Sequence, residues 1–239
     1  MISYRNNGAG ALNDHFLWYN NIIYNYVLMT KSVSWERVVP MERNAYSAGA
    51  VKFSFWFIEF KKAVSLLATG MSMKDLKAKN AAENLFAASS ADRAKMVMNT
   101  VAKRIESLDP SFVPLFMASD VAGQKLLCLT ACMCTDTLFF DFAYEIIRGK
   151  LILGIHEYGE SDVRAFWANK QVQSEKVASL TEATLKRLAS TYKQYLSEAG
   201  VTDNAAGTKK ILKPIPSMEI EKWLRGNGLQ PVLAALTGE

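Results

Sequence analysis

The residues best suited to chemistry are basic and fall late in the chain: Lys170, Lys176, Lys186, Arg187, Lys193, Lys209, Lys210 and Lys213, with Lys222 and Arg225 beyond them. Thr181, Thr184, Ser190 and Gln194 are interleaved with these cations. Lysine and arginine neutralise phosphates, while short hydroxyl and amide groups hydrogen-bond to phosphate oxygens and base edges, so the mixture suits a nucleic acid. A solvated helix face has the same composition. The order of the surrounding elements favours nucleic acid. Ser161 to Trp167, Gln171 to Ser179 and Thr181 to Ala199 read as helices, and Lys209 to Lys213 reads as the strand of a short β-hairpin. Three helices and a basic hairpin are the parts of a winged helix-turn-helix, which lays one helix in a DNA groove and a loop on the phosphates. The expected DNA-contact residues are therefore Lys170, Lys176, Thr181, Lys186, Arg187, Ser190, Lys193, Lys209, Lys210 and Lys213. Should that face not be the reader, Arg93, Lys95 and Lys103 form the next basic candidate.

Other chemistries find little support. The chain has no GxGxxG, Walker A, HExxH, GxSxG or paired CxxC pattern, so the usual arrangements for phosphate, metal and acyl chemistry are absent. His156 sits in a glycine-marked connection. Asp136 and Asp141 are five residues apart, which does not place them on one helix face; a cap and an ion pair are their simpler roles. Cys128, Cys132 and Cys134 share one apolar segment and read as buried free thiols, with His15 and His156 the only histidines. The expectation is a non-enzymatic protein with no catalytic residues, no metal, no cofactor and no small-molecule substrate.

These residues need a frame, and the sequence describes one. The chain is 239 residues long and 50% apolar, enough for a sizeable core, and its 28 basic and 23 acidic residues give +5, with the excess leaning C-terminal. From Tyr46 it reads as successive helices. Phe53, Phe57, Phe60 and Val64 form one stripe ended by Gly70. Ser72 with Asp75 opens a helix towards Phe86, and Ser89-Ser90 opens another through Ile105 and Leu108. Asp109-Pro110 reads as a cap with proline at the first helical position, and Asp120 and Asp136 as further caps. Leu185, Leu188, Tyr192 and Leu196 make the apolar face of the Thr181 helix, with Lys186, Ser190 and Lys193 pointing elsewhere. Ser217 caps a last helix through Trp223.

Val51 to Leu67 and Leu126 to Ile147 are apolar but carry charges, so they read as buried helices and not membrane spans. The run from His15 to Met29 contains Asn20, Asn21 and Asn25 and reads as neither signal peptide nor anchor. With unpaired cysteines, this gives an expected cytoplasmic location and no membrane partner.

Tyr46 to Phe60 (YSAGAVKFSFWFIEF) resembles the opening of the BrxA family of bacterial BREX phage-defence loci. Ala88 to Leu108 with Arg104, Leu138 to Phe142 (LFFDF), and Leu185 to Ala189 (LKRLA) through Glu198-Ala199-Gly200 resemble the same family in order and spacing. The resemblance implies a helical body similar to the NusB antitermination fold, DNA binding, and work alongside other BREX proteins. The resulting expectation is a mainly α protein: a variable extension over 1–45, a helical body over 46–155 and a winged-helix-like DNA-binding domain over 156–239. Its function would be to bind double-stranded DNA within a BREX system. The alternatives are a scaffold for other BREX proteins and an RNA-binding, antitermination-like factor.

Overall fold

Most of the described helices begin where a side chain supplies an acceptor for the unpaired N–H groups of a first turn. The computed structural model describes residues 43–239, so the expected extension lies outside the described residues except for its last three positions. Helix α1 (Phe57–Ala68) follows Trp56, which adopts a left-handed conformation with φ 52°. That turn takes Phe53 off the helix; it follows a short 3-10 turn, Gly49–Lys52, so the expected stripe begins only at Phe57. In α2 (Met73–Glu83) the Ser72 hydroxyl accepts from the Asp75 N–H at 3.1 Å, and in α3 (Ala91–Glu106) Ser90 accepts from Arg93 at 3.2 Å. Asp109 and Pro110 stand in a turn ahead of α4 (Phe112–Ala118); Asp109 spends its carboxylate on the N–H and hydroxyl of Ser111, so proline is not the first helical residue.

Helix α5 (Val121–Thr135) is capped by Asp120, which accepts from Gly123 at 2.7 Å. Gly123 also packs closely on Ile220, since a Cβ there would lie 2.9 Å from Ile220 Cδ1. Asp136 then ends α5 and caps α6 (Thr137–Ile152), the two helices meeting at 114°. The middle of α6, Ala143–Arg148, is π-helical. No single described helix is long and apolar enough to cross a membrane, and α5 with α6 reaches that composition only as this bent pair. The helix runs through Gly149, so the glycine-marked connection that holds His156 begins only after Ile152.

The last third comprises β1 (Glu157–Tyr158), α7 (Glu160–Gln173), α8 (Glu175–Ala178), α9 (Glu182–Glu198), β2 (Lys209–Lys210), α10 (Met218–Gly226) and α11 (Gln230–Thr237). The strand expected over Lys209 to Lys213 forms in part: Ile211 bridges antiparallel to Thr202, with Asp203 N–H donating to the Lys210 carbonyl at 3.1 Å and Leu212 N–H to the Val201 carbonyl at 2.8 Å across the intervening turn. Only Lys209–Lys210 is strand, and it pairs antiparallel with β1, Glu157 opposite Lys210 and Tyr158 opposite Lys209. Pro214 and Pro216, which have no N–H to donate, follow and end the pairing. The two strands thus bracket α7, α8 and α9.

One apolar cluster runs through β1 and every one of these helices. Phe139 of α6 packs on Tyr192 and Tyr195 of α9, with ring centroids 5.1 and 5.3 Å apart, and Phe142 packs on Phe166 of α7 at 5.2 Å. The described residues belong to one compact unit, and the boundary expected after residue 155 falls within this shared core. It fixes α7 and α9 as rigid supports for their outer faces. Leu188 of α9 is fully buried. Leu188→Ala should therefore cost about 2–5 kcal/mol through the cavity it leaves, read as a lower midpoint in urea unfolding followed by circular dichroism.

Candidate nucleic-acid interface

Helix α9 is amphipathic in the expected sense. Leu185, Leu188, Tyr192 and Leu196 are buried, while Lys186, Arg187, Ser190 and Gln194 are exposed. Thr181 caps the helix, its hydroxyl accepting from the Thr184 N–H at 3.2 Å, so its position is structural. Between α7 and α9 lies a groove of about 920 Å³. Val163 and Trp167 of α7 and Leu185 and Ala189 of α9 form apolar parts of its wall, and Lys186, Ser190, Lys193 and, from β2, Lys209 all reach it. Four of the ten expected contact residues thus converge.

The groove also carries opposing charge. Glu160, Glu182 and Glu198 line it; Lys186 is paired with Glu182 at 2.8 Å, Lys193 with Glu160, and Lys209 donates to the Ala205 carbonyl at 2.9 Å. Exposed pairs such as Lys186–Glu182 are worth about 0–1 kcal/mol, so phosphate can compete for them, but their carboxylates reduce the positive field. Lys176, Arg187, Lys210 and Lys213 are exposed and outside the groove; among the described residues none has a carboxylate within ion-pair distance. The spacing of Arg164, Ala168 and Gln171 along α7 makes these a second wall that the sequence reading did not single out.

Lys170 is a correction. It is 3% exposed, and its ammonium is held by Asp141 at 2.9 Å and Glu145 at 2.5 Å, out of reach of any phosphate. Burial works to lower its pKa, but the hydrogen bonds it donates to both carboxylates outweigh this and leave it raised. Asp141 also accepts from Arg43 at 2.7 Å and from the Tyr46 hydroxyl at 2.5 Å, tying the first described residues to α6 and α7. Position 170 falls on the inner side of α7 near Val163 and Phe166, a placement that a charged residue type conceals.

A second groove, about 530 Å³, opens over α3. Lys95, Asn99 and Lys103 line it from one side of that helix, Asn44, Ser47 and Phe53 from the segment before α1, and Asp136 and Tyr195 from below. Arg104 also reaches it. The residue is 3% exposed, and its guanidinium donates to the carbonyls of Phe55 (2.7 Å) and Ser54 (3.1 Å) and to the Tyr195 hydroxyl (3.1 Å).

These features describe a mainly α protein with charged grooves on a rigid helical frame. The chain belongs to the BrxA family, whose model matches residues 44–228. It is 32% identical to "BREX protein BrxA" of Bacillus cereus (strain H3081.97) over 183 residues, covering 77% of this chain and 92% of that protein. In fold it is similar to a crystal structure of an uncharacterized protein from Magnetospirillum magneticum, with a TM-score of 0.65 and 17% identity over 82% of this chain and all of that one.

Asp136 supports both grooves, because it caps α6 and accepts from Tyr192 of α9 at 3.2 Å. Burial pushes its carboxyl up to about 6, against the hydrogen bonds from Phe139, Tyr192 and Leu138. A carboxyl raised in the folded state adds stability that is fully present below its ordinary value, near 3.8, and is lost as pH climbs through about 6. At about 1.4 kcal/mol per pH unit the difference is worth about 3 kcal/mol. Asparagine caps as well as aspartate. Asp136→Asn should therefore flatten the change in unfolding free energy between pH 4 and 6 relative to the parent, as measured by urea titrations across that range.

Proposed function

We propose that this BREX component binds double-stranded DNA through the outer face of α9 and the adjoining β2. What carries the reading is the convergence of Lys186, Ser190, Lys193 and Lys209 on one groove edge, flanked by Arg187 and Lys210, which have no ion-pair partner among the described residues. The order β1, three helices, β2 supports a winged-helix-like use of this region, α9 serving as the helix presented to DNA and β2 as the basic edge beside it. The side chains are mostly lysines and hydroxyls, so contacts go to phosphates and discrimination between sequences is small. The protein acts by occupying DNA, with no chemical step. Other BREX proteins are its expected partners, and the cytoplasm its expected compartment.

One observation favours an additional scaffold role. Ile215 is 93% exposed, and Leu212 and Met218 beside it are also uncovered, at the edge of an apolar groove of about 940 Å³ formed with α5 and α10. Single exposed apolar residues are ordinary, but a cluster beside a groove marks a protein-contact surface. Loss of BREX-protein association on Ile215→Asp, with DNA binding kept, would support it.

The test of DNA binding is the triple variant Lys186→Ala, Arg187→Ala, Lys210→Ala. Duplex affinity should fall about tenfold or more, the slope of log affinity against log salt should become shallower by about 0.9 for each phosphate no longer neutralised, and the melting temperature should hardly move. Fluorescence anisotropy with a labelled duplex at several salt concentrations reads both affinity and slope. Unchanged affinity and slope would remove this face as the reader.

A further inference from the structure

We propose that the groove over Arg104 binds a nucleotide unit, led by its phosphate. The proposal stands on a charge imbalance. Arg104 is 3% exposed, always protonated, and bonded only to neutral oxygens: the carbonyls of Ser54 and Phe55 and the Tyr195 hydroxyl. Among the described residues no carboxylate lies within ion-pair distance of it. Buried charges are ordinarily paired in contact; Arg104 has only the longer-range attraction of Asp136, and a cation so weakly balanced at the base of a groove projects its field into that groove.

The rim adds to the field. Lys95 and Lys103 are exposed, line the groove from the same side of α3, and lack ion-pair partners among the described residues, unlike Lys186 and Lys193 in the other groove. Eight residues of helix set them about 12 Å apart, a span that phosphate groups and an attached sugar can bridge. Asn99 stands between them with its amide exposed, and the half-buried Phe53 ring offers an apolar surface for a base. At about 530 Å³ the groove is of a size that holds one small ligand. Two carboxylates, Asp92 and Asp136, also line it and set an upper limit on how much negative charge it takes.

The site is independent of the α9 face, so the two readings can fail separately. The nucleotide comes either free or as one unit of a strand, and the probes distinguish these sources. Isothermal titration with ATP, inorganic pyrophosphate and a single-stranded oligothymidylate should give saturable one-site binding of ATP or of the oligonucleotide. A response to ATP assigns a free nucleotide; a response to the oligonucleotide alone assigns a unit of a strand. Pyrophosphate should compete in either case. Lys95→Ala with Lys103→Ala should weaken binding about tenfold or more, whereas Lys186→Ala with Arg187→Ala should leave it unchanged. Arg104→Gln risks the fold, so the lysine pair, checked by thermal melting, is the deciding variant. No saturable binding of either nucleotide probe at millimolar concentration, no competition by pyrophosphate, or equal binding by the lysine variant would overturn the proposal.

Discussion

The Arg104 guanidinium is the interaction on which the arrangement of the N-terminal half turns. It belongs to α3, yet it holds the carbonyls of Ser54 and Phe55 just before α1 and the hydroxyl of Tyr195 on α9, and it lies over the rings of Trp56 and Tyr195. One side chain thus fastens three segments distant in sequence. Fixed geometry and multiple donors suit arginine to this, and lysine could not replace it. The cost is a desolvated positive charge with no carboxylate in direct contact, balanced by dipoles, ring faces and the longer-range charge of Asp136, and the groove above it inherits the unspent field.

The C-terminal face follows a different rule. There the charged residues were sorted by the packing of α7 and α9 on α6. Lys170 turned inward and was neutralised by Asp141 and Glu145, while Lys186 and Lys193 remained outward but took Glu182 and Glu160 as partners. A basic sequence has become a face of mixed sign with free cations at its margins. A phosphate reaching such a face would have to displace weak carboxylate partners, so it would be held less tightly than on an unopposed lysine patch.

The parts of this architecture legible in the sequence are those set by local rules. Ser72, Ser90, Asp120, Asp136 and Ser217 each cap a helix because the acceptor and the orphan N–H groups are neighbours in the chain. The buried stripe of α9 was legible for the same reason. The strand pairing was not, since Lys209–Lys210 joins Glu157–Tyr158 across three helices and no local signal specifies a partner that far away. Lys170 misled because residue type outweighed position, although its place on the inner side of α7 marked it as buried. The Arg104 groove depended on segments brought together only by folding, and α11 carries no side-chain cap to announce it.

The claim that α9 and β2 meet duplex DNA is tested most directly by lysine acetylation footprinting of the free and duplex-bound protein, read by mass spectrometry. The account predicts that Lys186, Lys209 and Lys210 react in the free protein and are protected by duplex, while the buried Lys170 reacts in neither state. Protection confined to lysines elsewhere, with Lys186 and Lys210 equally reactive in both states, would contradict it.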